Sequence, residues 1–169
     1  MTNTPQHRTV VVGVEGSASS RAAIRLAAEE AEYRGAELIA VMAYSGERAV
    51  GAPAVRPVAT LRTADDERIV AEAALRDAVF DALGDQAEKV QLSTVLGLAG
   101  RKLVETAQRV NAQLLVLAGR GSASMLLGTV SQYVLRKAPC PVLVVPEAGR
   151  DGRLGLPDAR PELPDGPPE

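Results

Sequence analysis

A glycine-rich stretch near the carboxyl end of the chain has the residue types and the spacing of an anion-binding turn. Gly119, Arg120 and Gly121 follow an apolar run, and the segment GTVS at 128–131 opens a helical pattern. Glycine lets the backbone approach a ligand closely. The first amide groups of a helix lack intrahelical partners and carry partial positive charge, so they bind phosphate. The stretch is therefore a candidate phosphate site, although glycines that serve only a tight turn would have the same spacing. The sequence leaves both interpretations open.

Two other nucleotide-binding motifs are missing from the sequence. No Gly-Lys-Ser/Thr triplet occurs, so a P-loop lysine motif is excluded. A dinucleotide fingerprint G-x-G-x-x-G would require glycine at position 18 or 124, where the sequence has Ala18 and Ser124. A nicotinamide-dependent enzyme is therefore disfavoured.

The counts of histidine and cysteine limit the catalytic and metal chemistry. The single histidine, His7, excludes a histidine-based triad and a multi-histidine metal site. The single cysteine, Cys140, excludes an intrachain disulfide and fits a reducing cytoplasm. With no evident activated nucleophile or histidine acid/base, we expect no enzymatic turnover and no dedicated metal site.

Composition also excludes several classes of partner. The chain has 169 residues, 46% of them hydrophobic, which suits one domain with an aliphatic core. A net charge of −2 and the presence of one Phe, three Tyr and no Trp argue against nucleic-acid binding. No apolar run is long enough to span a bilayer, and the first residues are polar, so we expect a cytoplasmic protein without membrane contact.

Strand and helix patterns alternate along the chain. Short apolar runs predict strands at 8–14, 37–43, 114–118 and 141–146, the last one flanked by prolines as in an edge strand. An alternating pattern predicts a further strand at 89–96. Helical periodicity predicts helices after Ser17, over 64–83, around Leu103 to Val110, and from near Gly128 to just before Pro139. Residues 45–60 are predicted to form a long loop.

Five strands separated by four helices predict one doubly wound parallel sheet with helices on both faces. We expect a tail at 1–7, a domain at 8–147, and a disordered Pro/Gly-rich tail at 148–169. Ligands of such sheets bind beyond the carboxyl ends of the strands. The loops that follow the first, second and fourth strands are therefore the places where we expect a site.

The chain resembles the universal stress protein family over roughly residues 7–147. The likeness lies in VVVGVEGSASSRAAIRLAAEEA at the start and in GRG followed by LLGTVSQYVLRKAPCPVLVVP near the end. The resemblance implies a sheet of order 3-2-1-4-5 and binding of ATP or a related nucleotide, with Mg²⁺ as an optional companion. It also implies a role in stress response and a homodimer through Val142–Val145, where an unpaired edge strand would invite a second copy. Because the sequence has no evident activated nucleophile, we expect any ATP hydrolysis to be slow and incidental.

ATP-binding members of the family carry G-x-x-G, nine residues, and then G-Ser/Thr around the phosphates. Carried over position by position, this resemblance implies nucleotide contacts at the ends of the first two strands and in the glycine-rich stretch. The implied residues are Gly13, Val14, Glu15, Met42 and Ala43 (the last two through their backbone), Gly121, Gly128, Thr129, Val130 and Ser131. The chemistry of the glycine-rich loop adds Gly119 as a wall of the phosphate site and Arg120 as a side chain able to reach an anion.

The sequence departs from this family pattern in three places. Ala118 replaces the first motif glycine, only the six residues Ser122 to Leu127 separate the last two motif glycines, and Glu15 stands where aspartate is usual. These departures keep a second hypothesis open: a nucleotide-free dimeric interaction or scaffold protein of the same fold. A flavin or other cofactor domain is a third interpretation, and Glu15 and Arg120 could also be ordinary surface charges.

Overall fold

Five parallel strands form one sheet in the order β3-β2-β1-β4-β5, as expected. The computed structural model describes residues 8–45, 64–119 and 128–146; the expected tails 1–7 and 148–169 and all of the expected loop except Ser45 lie outside these ranges. The elements are β1 (Thr9–Gly13), α1 (Ala18–Arg34), β2 (Glu37–Tyr44), α2 (Ala64–Leu83), a 3-10 helix (Gly84–Lys89), β3 (Val90–Leu96), α3 (Ala99–Arg109), β4 (Leu114–Ala118), α4 (Thr129–Lys137) and β5 (Val142–Val145).

The central strand β1 pairs in parallel on both sides. Val11 lies opposite Ile39 of β2 and Leu115 of β4. The three strands therefore end at the same edge of the sheet. Their residues are almost entirely buried, which explains why the sequence shows continuous apolar runs rather than alternation.

Helices cover both faces of the sheet and create two cores. Alternate strand residues such as Val10, Val12 and Ala40 pack against α1 and α2, where Ile24 and Leu75 are fully buried. The intervening residues pack against α3 and α4 in a second core. That second core contains Val11, Ile39, Val41, Leu103, Val104, Ala107, Leu115, Leu117 and Val134.

The observed helix ends agree closely with the sequence patterns. Ser17 is the N-cap of α1, and its Oγ accepts a hydrogen bond from the backbone N–H of Ser20 at 3.3 Å. Gly35 ends α1 in the left-handed region with φ of 58°. Helix α3 ends one residue before Val110, which caps it rather than extending its apolar stripe.

Both edge strands are less buried than the central ones. Strand β5 pairs only with β4 among the described strands, and three of its four residues are half-buried. This confirms the edge position that its flanking prolines predicted. Within the three described ranges, no helix has the length and apolar character needed to cross a membrane.

We predict that replacement of Leu75 by alanine destabilises the protein by about 2–5 kcal/mol, because it leaves a cavity between α2 and the sheet. Leu75 is 1% exposed, whereas Leu135, also in a helix, is 45% exposed. Chemical denaturation of both Leu→Ala variants checks this. Equal losses at the two positions would contradict the placement of the core.

Candidate functional site

A cleft opens at the carboxyl edge of the sheet, between the ends of β1, β2 and β4 and the beginnings of α3 and α4. Its described residues enclose a volume of about 170 Å³. The lining residues are Gly13, Val14, Glu15, Val41, Ala43, Ala99, Leu103, Leu117, Ala118, Gly128, Thr129, Val130 and Ser131. Eight of the twelve residues predicted from the sequence are among them.

The floor of the cleft depends on Gly13, the last residue of β1. A Cβ atom at this position would lie 2.8 Å from Leu117 Cδ2 and 3.0 Å from Leu103 Cδ1. The two leucine side chains therefore occupy the space that any larger residue would need. The missing side chain brings the backbone of β1 directly to the surface of the cleft.

The end of β2 contributes Val41 and Ala43 to the cleft, but not Met42. Side chains alternate across a strand, and Met42 lies in the core formed with α1 and α2. Val41, which the sequence interpretation did not include, lines the cleft beside Ala43, whereas Met42 was expected to contribute its backbone, and that contact stays a prediction. Strand periodicity was the signal for Val41, since Val41 and Ala43 are two residues apart.

The beginning of α4 lines the opposite side of the cleft. Gly128 is its N-cap, and among the described residues no side chain caps this end and no acidic residue lies in its first turn. The carbonyl oxygen of Gly128 accepts the first helical hydrogen bond, from Gln132 N–H at 3.0 Å. The amides of the first turn are the groups that bind anions at helix N-termini.

Helix α3 brings a second N-terminus to the cleft, which the sequence interpretation missed. Ala99 and Leu103 line the cleft, and Leu98, the N-cap, makes no side-chain capping bond. Helices α3 and α4 pack closely because Gly100 has no side chain: a Cβ there would lie 3.1 Å from Tyr133 Cδ1. The loop after β3 leaves the sheet at the same edge, so the predicted topology already indicated that α3 begins near the cleft.

Three predicted phosphate-loop residues are not among the described lining residues. Gly119 is buried against β5, where its N–H donates to the carbonyl oxygen of Val145 at 2.7 Å. A Cβ on Gly119 would lie 3.1 Å from Val144 Cγ1. Arg120 and Gly121 lie outside the described residues.

Glu15 stands at the rim of the cleft with a defined set of hydrogen bonds. Ser17 Oγ donates to Glu15 Oε1 at 3.1 Å, and the backbone N–H of Glu15 donates to Ser20 Oγ at 3.2 Å. Glu15 is exposed, whereas Ser20 is fully buried. Among the described lining residues, Glu15 carries the one charged side chain, so the rim near β1 is acidic.

Two further residues, Leu117 and Ala118, line the cleft from β4 without having been predicted as contacts. Leu117 shares a face with Leu115 through strand alternation. Ala118 occupies the position of the first glycine in the family motif. Its methyl group therefore adds apolar surface where a glycine would leave backbone.

Metal and thiol chemistry have little support in the described ranges. No group of three or more His, Cys, Asp or Glu residues within 8–45, 64–119 and 128–146 could hold a metal ion. Cys140 is a free, half-buried cysteine beside the second core, and burial raises the pKa of its thiol. A raised pKa lowers the thiolate fraction at neutral pH, which fits a structural role.

Residues 6–146 match the family model described as the universal stress protein family. The chain belongs to the universal stress protein family. A curated relative, Universal stress protein Rv2005c of Mycobacterium tuberculosis, is 37% identical over 148 residues. The alignment covers 83% of this chain and 46% of that protein, so the chain spans less than half of the length of the curated relatives it matches.

Solved structures of universal stress proteins share the fold. A crystal structure of a universal stress protein in complex with cAMP has a TM-score of 0.59 and 33% identity, and the match covers 82% of this chain and 96% of that one. A universal stress protein from Archaeoglobus fulgidus in complex with dAMP has a TM-score of 0.57 and 20% identity, over 81% and 96%. The second likeness shows the fold alone.

We predict that Gly13→Ala destabilises the protein by about 1–3 kcal/mol, because the added methyl group overlaps the leucine side chains at the floor of the cleft. Leu117→Val removes the nearer of these contacts, so the double variant Gly13→Ala/Leu117→Val is expected to lose less stability than the sum of the two single variants. A double-mutant cycle measured by chemical denaturation checks this. Strict additivity would contradict the close approach.

Proposed function

We propose that this universal stress protein binds an adenine nucleotide, with ATP as the first candidate, in the cleft at the carboxyl edge of the sheet, and acts in stress response. The observation that carries the proposal is that the same cleft has an electropositive helix N-terminus on one side and an acidic rim on the other. Among the described residues no side chain caps the beginning of α4, which lies on one side, and the Glu15 carboxylate lies on the rim of the other.

Each part of a nucleotide has a chemically matched group in this cleft. The first-turn amides of α4 and the hydroxyl groups of Thr129 and Ser131 are suited to phosphate oxygens. The Glu15 carboxylate is suited to accept hydrogen bonds from ribose hydroxyl groups. Val41 and Ala43 offer an apolar wall and strand-end backbone to the base.

The comparison with known proteins supports nucleotide binding in general more strongly than ATP in particular. The 33%-identical relative was crystallised with cAMP, a nucleotide with a single phosphate. In this chain, Ala118 and the shortened segment from Ser122 to Leu127 alter the part of the motif that surrounds the phosphates in ATP-binding members. ATP, AMP and cAMP are therefore all candidates for the physiological ligand.

We further propose that the protein is not an enzyme beyond slow, incidental ATP hydrolysis. Glu15 is the one carboxylate among the described lining residues, and it lies at the acidic rim rather than in a metal cage. A Mg²⁺ ion would therefore depend mainly on the phosphates for its ligands. We also propose a cytoplasmic location, with which the free Cys140 is compatible.

We predict that Gly128→Asp weakens nucleotide binding at least about tenfold while stabilising α4. An aspartate N-cap accepts hydrogen bonds from the same amides that would bind phosphate, and its charge repels the anion. Gly128 has φ of −58° and ψ of 161°, which other residues adopt, so Gly128→Ala serves as an uncharged, non-capping control. Calorimetric titration with ATP, ADP, AMP and cAMP, each with and without Mg²⁺, measures the effect.

The wild type is expected to bind at least one of these nucleotides below millimolar concentration and to melt at a higher temperature in its presence. Absence of binding by any of them at millimolar ligand would overturn the proposed function. It would favour the second candidate, a nucleotide-free dimeric scaffold, for which Ala118 and the shortened loop are the specific observations.

We propose a homodimer through Val142–Val145, because β5 pairs with only β4 among the described strands. We predict that Val144→Lys shifts the protein towards monomer, since a lysine on an edge strand disfavours pairing with a second copy. Light scattering over a micromolar dilution series measures the mass, and Leu135→Lys on exposed α4 surface is the control. A monomeric wild type at these concentrations would contradict the proposal.

A further inference from the structure

The charges of the protein are separated between the two faces of the sheet. Helices α3 and α4 together carry five Lys or Arg residues and a single acidic residue, Glu105. Helix α2 packs on the opposite face and carries six Asp or Glu residues and two arginines. The net charge of −2 therefore includes two surfaces of opposite sign on one molecule.

The basic face lies on the exposed surface of α3 and α4. Its members are Arg101, Arg109, Arg136 and Lys137. Glu105 is paired with Lys102 Nζ at 2.7 Å and with Arg101 Nε at 3.1 Å, so two cations already share the acid beside the basic face. The other three members lie in the last turns of their helices, where cations also complement the helix dipole. They make no ion pair with a described residue.

The outward side of α2 has the complementary chemistry. Positions 66, 70, 73, 77 and 80 recur at helical spacing on the side opposite the buried residues of this helix. Together with position 81 they form the acidic stripe, whose members are Asp66, Val70, Ala73, Asp77, Phe80 and Asp81. Val70 is 47% exposed and Phe80 is 60% exposed, so apolar side chains lie among the carboxylates. An apolar centre with a charged rim is the usual composition of a protein–protein interface.

The acidic stripe keeps negative charge that its own helix does not neutralise. Asp77 and Asp81 are exposed and make no ion pair with a described residue. Of the two arginines of α2, Arg68 is paired with Glu72 at 2.7 Å, and Arg76 lies beside the stripe rather than on it. A second molecule with a basic surface can therefore supply the missing partners.

We propose that the basic face of one copy docks on the acidic stripe of a second copy. The cations pair with Asp77 and Asp81, and their apolar stems and guanidinium planes cover Val70 and Phe80. The two surfaces lie on opposite faces of one sheet, so each docked pair leaves one free surface of each kind. Such a head-to-tail contact adds further copies instead of closing at two.

This contact is separate from the cleft and from the pairing proposed for β5. Arg136 and Lys137 lie in the last turn of α4, whereas the cleft uses the first turn of that helix. Exposed ion pairs are individually weak and are screened by salt, so the contact requires low ionic strength and concentrated protein. The inference goes beyond the proposed function and does not depend on nucleotide binding.

Two charge-reversed variants of the full chain test the contact. Arg136→Glu/Lys137→Glu reverses the charge on the basic face, and Asp77→Lys/Asp81→Lys reverses that on the acidic stripe. Sedimentation measures the mass of the wild type, of each variant and of an equal mixture of the two. The measurements cover protein concentrations up to several hundred micromolar at about 20 mM and about 500 mM salt, where screening is weak and strong respectively. Melting temperatures show whether each variant is folded.

At low salt, we expect the mass of the wild type to rise with concentration above its mass at high salt. Each variant alone is expected to have a dissociation constant at least about tenfold higher, because its two surfaces then carry the same sign. The mixture is expected to regain the wild-type association. In the mixture the two reversed surfaces are complementary, and so are the two unreversed ones.

A matched control changes the net charge without touching either surface. Glu29→Lys/Glu32→Lys lies on exposed positions of α1 and adds the same charge as Asp77→Lys/Asp81→Lys. We expect this control to associate as the wild type does. An equal loss of association in the control would assign the effect to net charge and would overturn the proposal.

The remaining outcomes are equally decisive. A wild type whose mass is the same at both salt concentrations would overturn the proposal and leave the basic face to a polyanion of another kind. Folded variants that associate as the wild type does would show that these charges form no contact. A mixture of folded variants that fails to regain association would overturn the pairing of these two surfaces.

Discussion

The parallel pairing of β1 with β2 on one side and with β4 on the other is the constraint on which the cleft depends. Parallel strands place their carboxyl ends at one edge, so the ends of β1, β2 and β4 lie side by side. The chain proceeds outward in opposite directions from β1, which places α1 and α2 on one face and α3 and α4 on the other. A crevice at this reversal is a geometric result of the topology.

The three helices that begin at the cleft edge differ in how their first amides are satisfied. Ser17 caps α1 and simultaneously donates to Glu15, so this helix start is already occupied by the protein's own side chain. The starts of α3 and α4 have no such side-chain cap among the described residues. The cleft is consequently acidic at the β1 rim and electropositive at the α4 side. A ligand with hydroxyl groups at one end and an anion at the other matches this asymmetry.

Most of the architecture follows from local sequence patterns, whereas the composition of the cleft does not. Continuous apolar runs predicted four strands, an alternating pattern predicted β3, and helical periodicity predicted the bounds of α2 over 64–83, as observed. The strand order 3-2-1-4-5 came from the family resemblance rather than from the patterns themselves. Strand periodicity indicates that Val41 and Met42 lie on opposite faces of β2, but only the packed sheet shows which face meets the cleft.

The remaining cleft residues depend on packing between elements that are distant in sequence. The contribution of Ala99 and Leu103 follows from the position of α3 beside α4, and no local motif marks it. Gly119 belongs to the glycine-rich stretch, yet its N–H is bonded to Val145 of the neighbouring strand. A motif identifies residue types and spacing, whereas hydrogen bonds across the sheet decide which atoms remain accessible.

The contact between Gly100 and Tyr133 means that the span of the cleft is set by residues that do not line it. Helices α3 and α4, whose first turns form the electropositive side of the cleft, meet where the ring of Tyr133 lies against Gly100. A Cβ atom at position 100 would lie 3.1 Å from Tyr133 Cδ1, so a side chain there requires the ring or the helices to shift. Natural variation at this pair could therefore tune the size of the accepted molecule within the family while every contact residue stays the same.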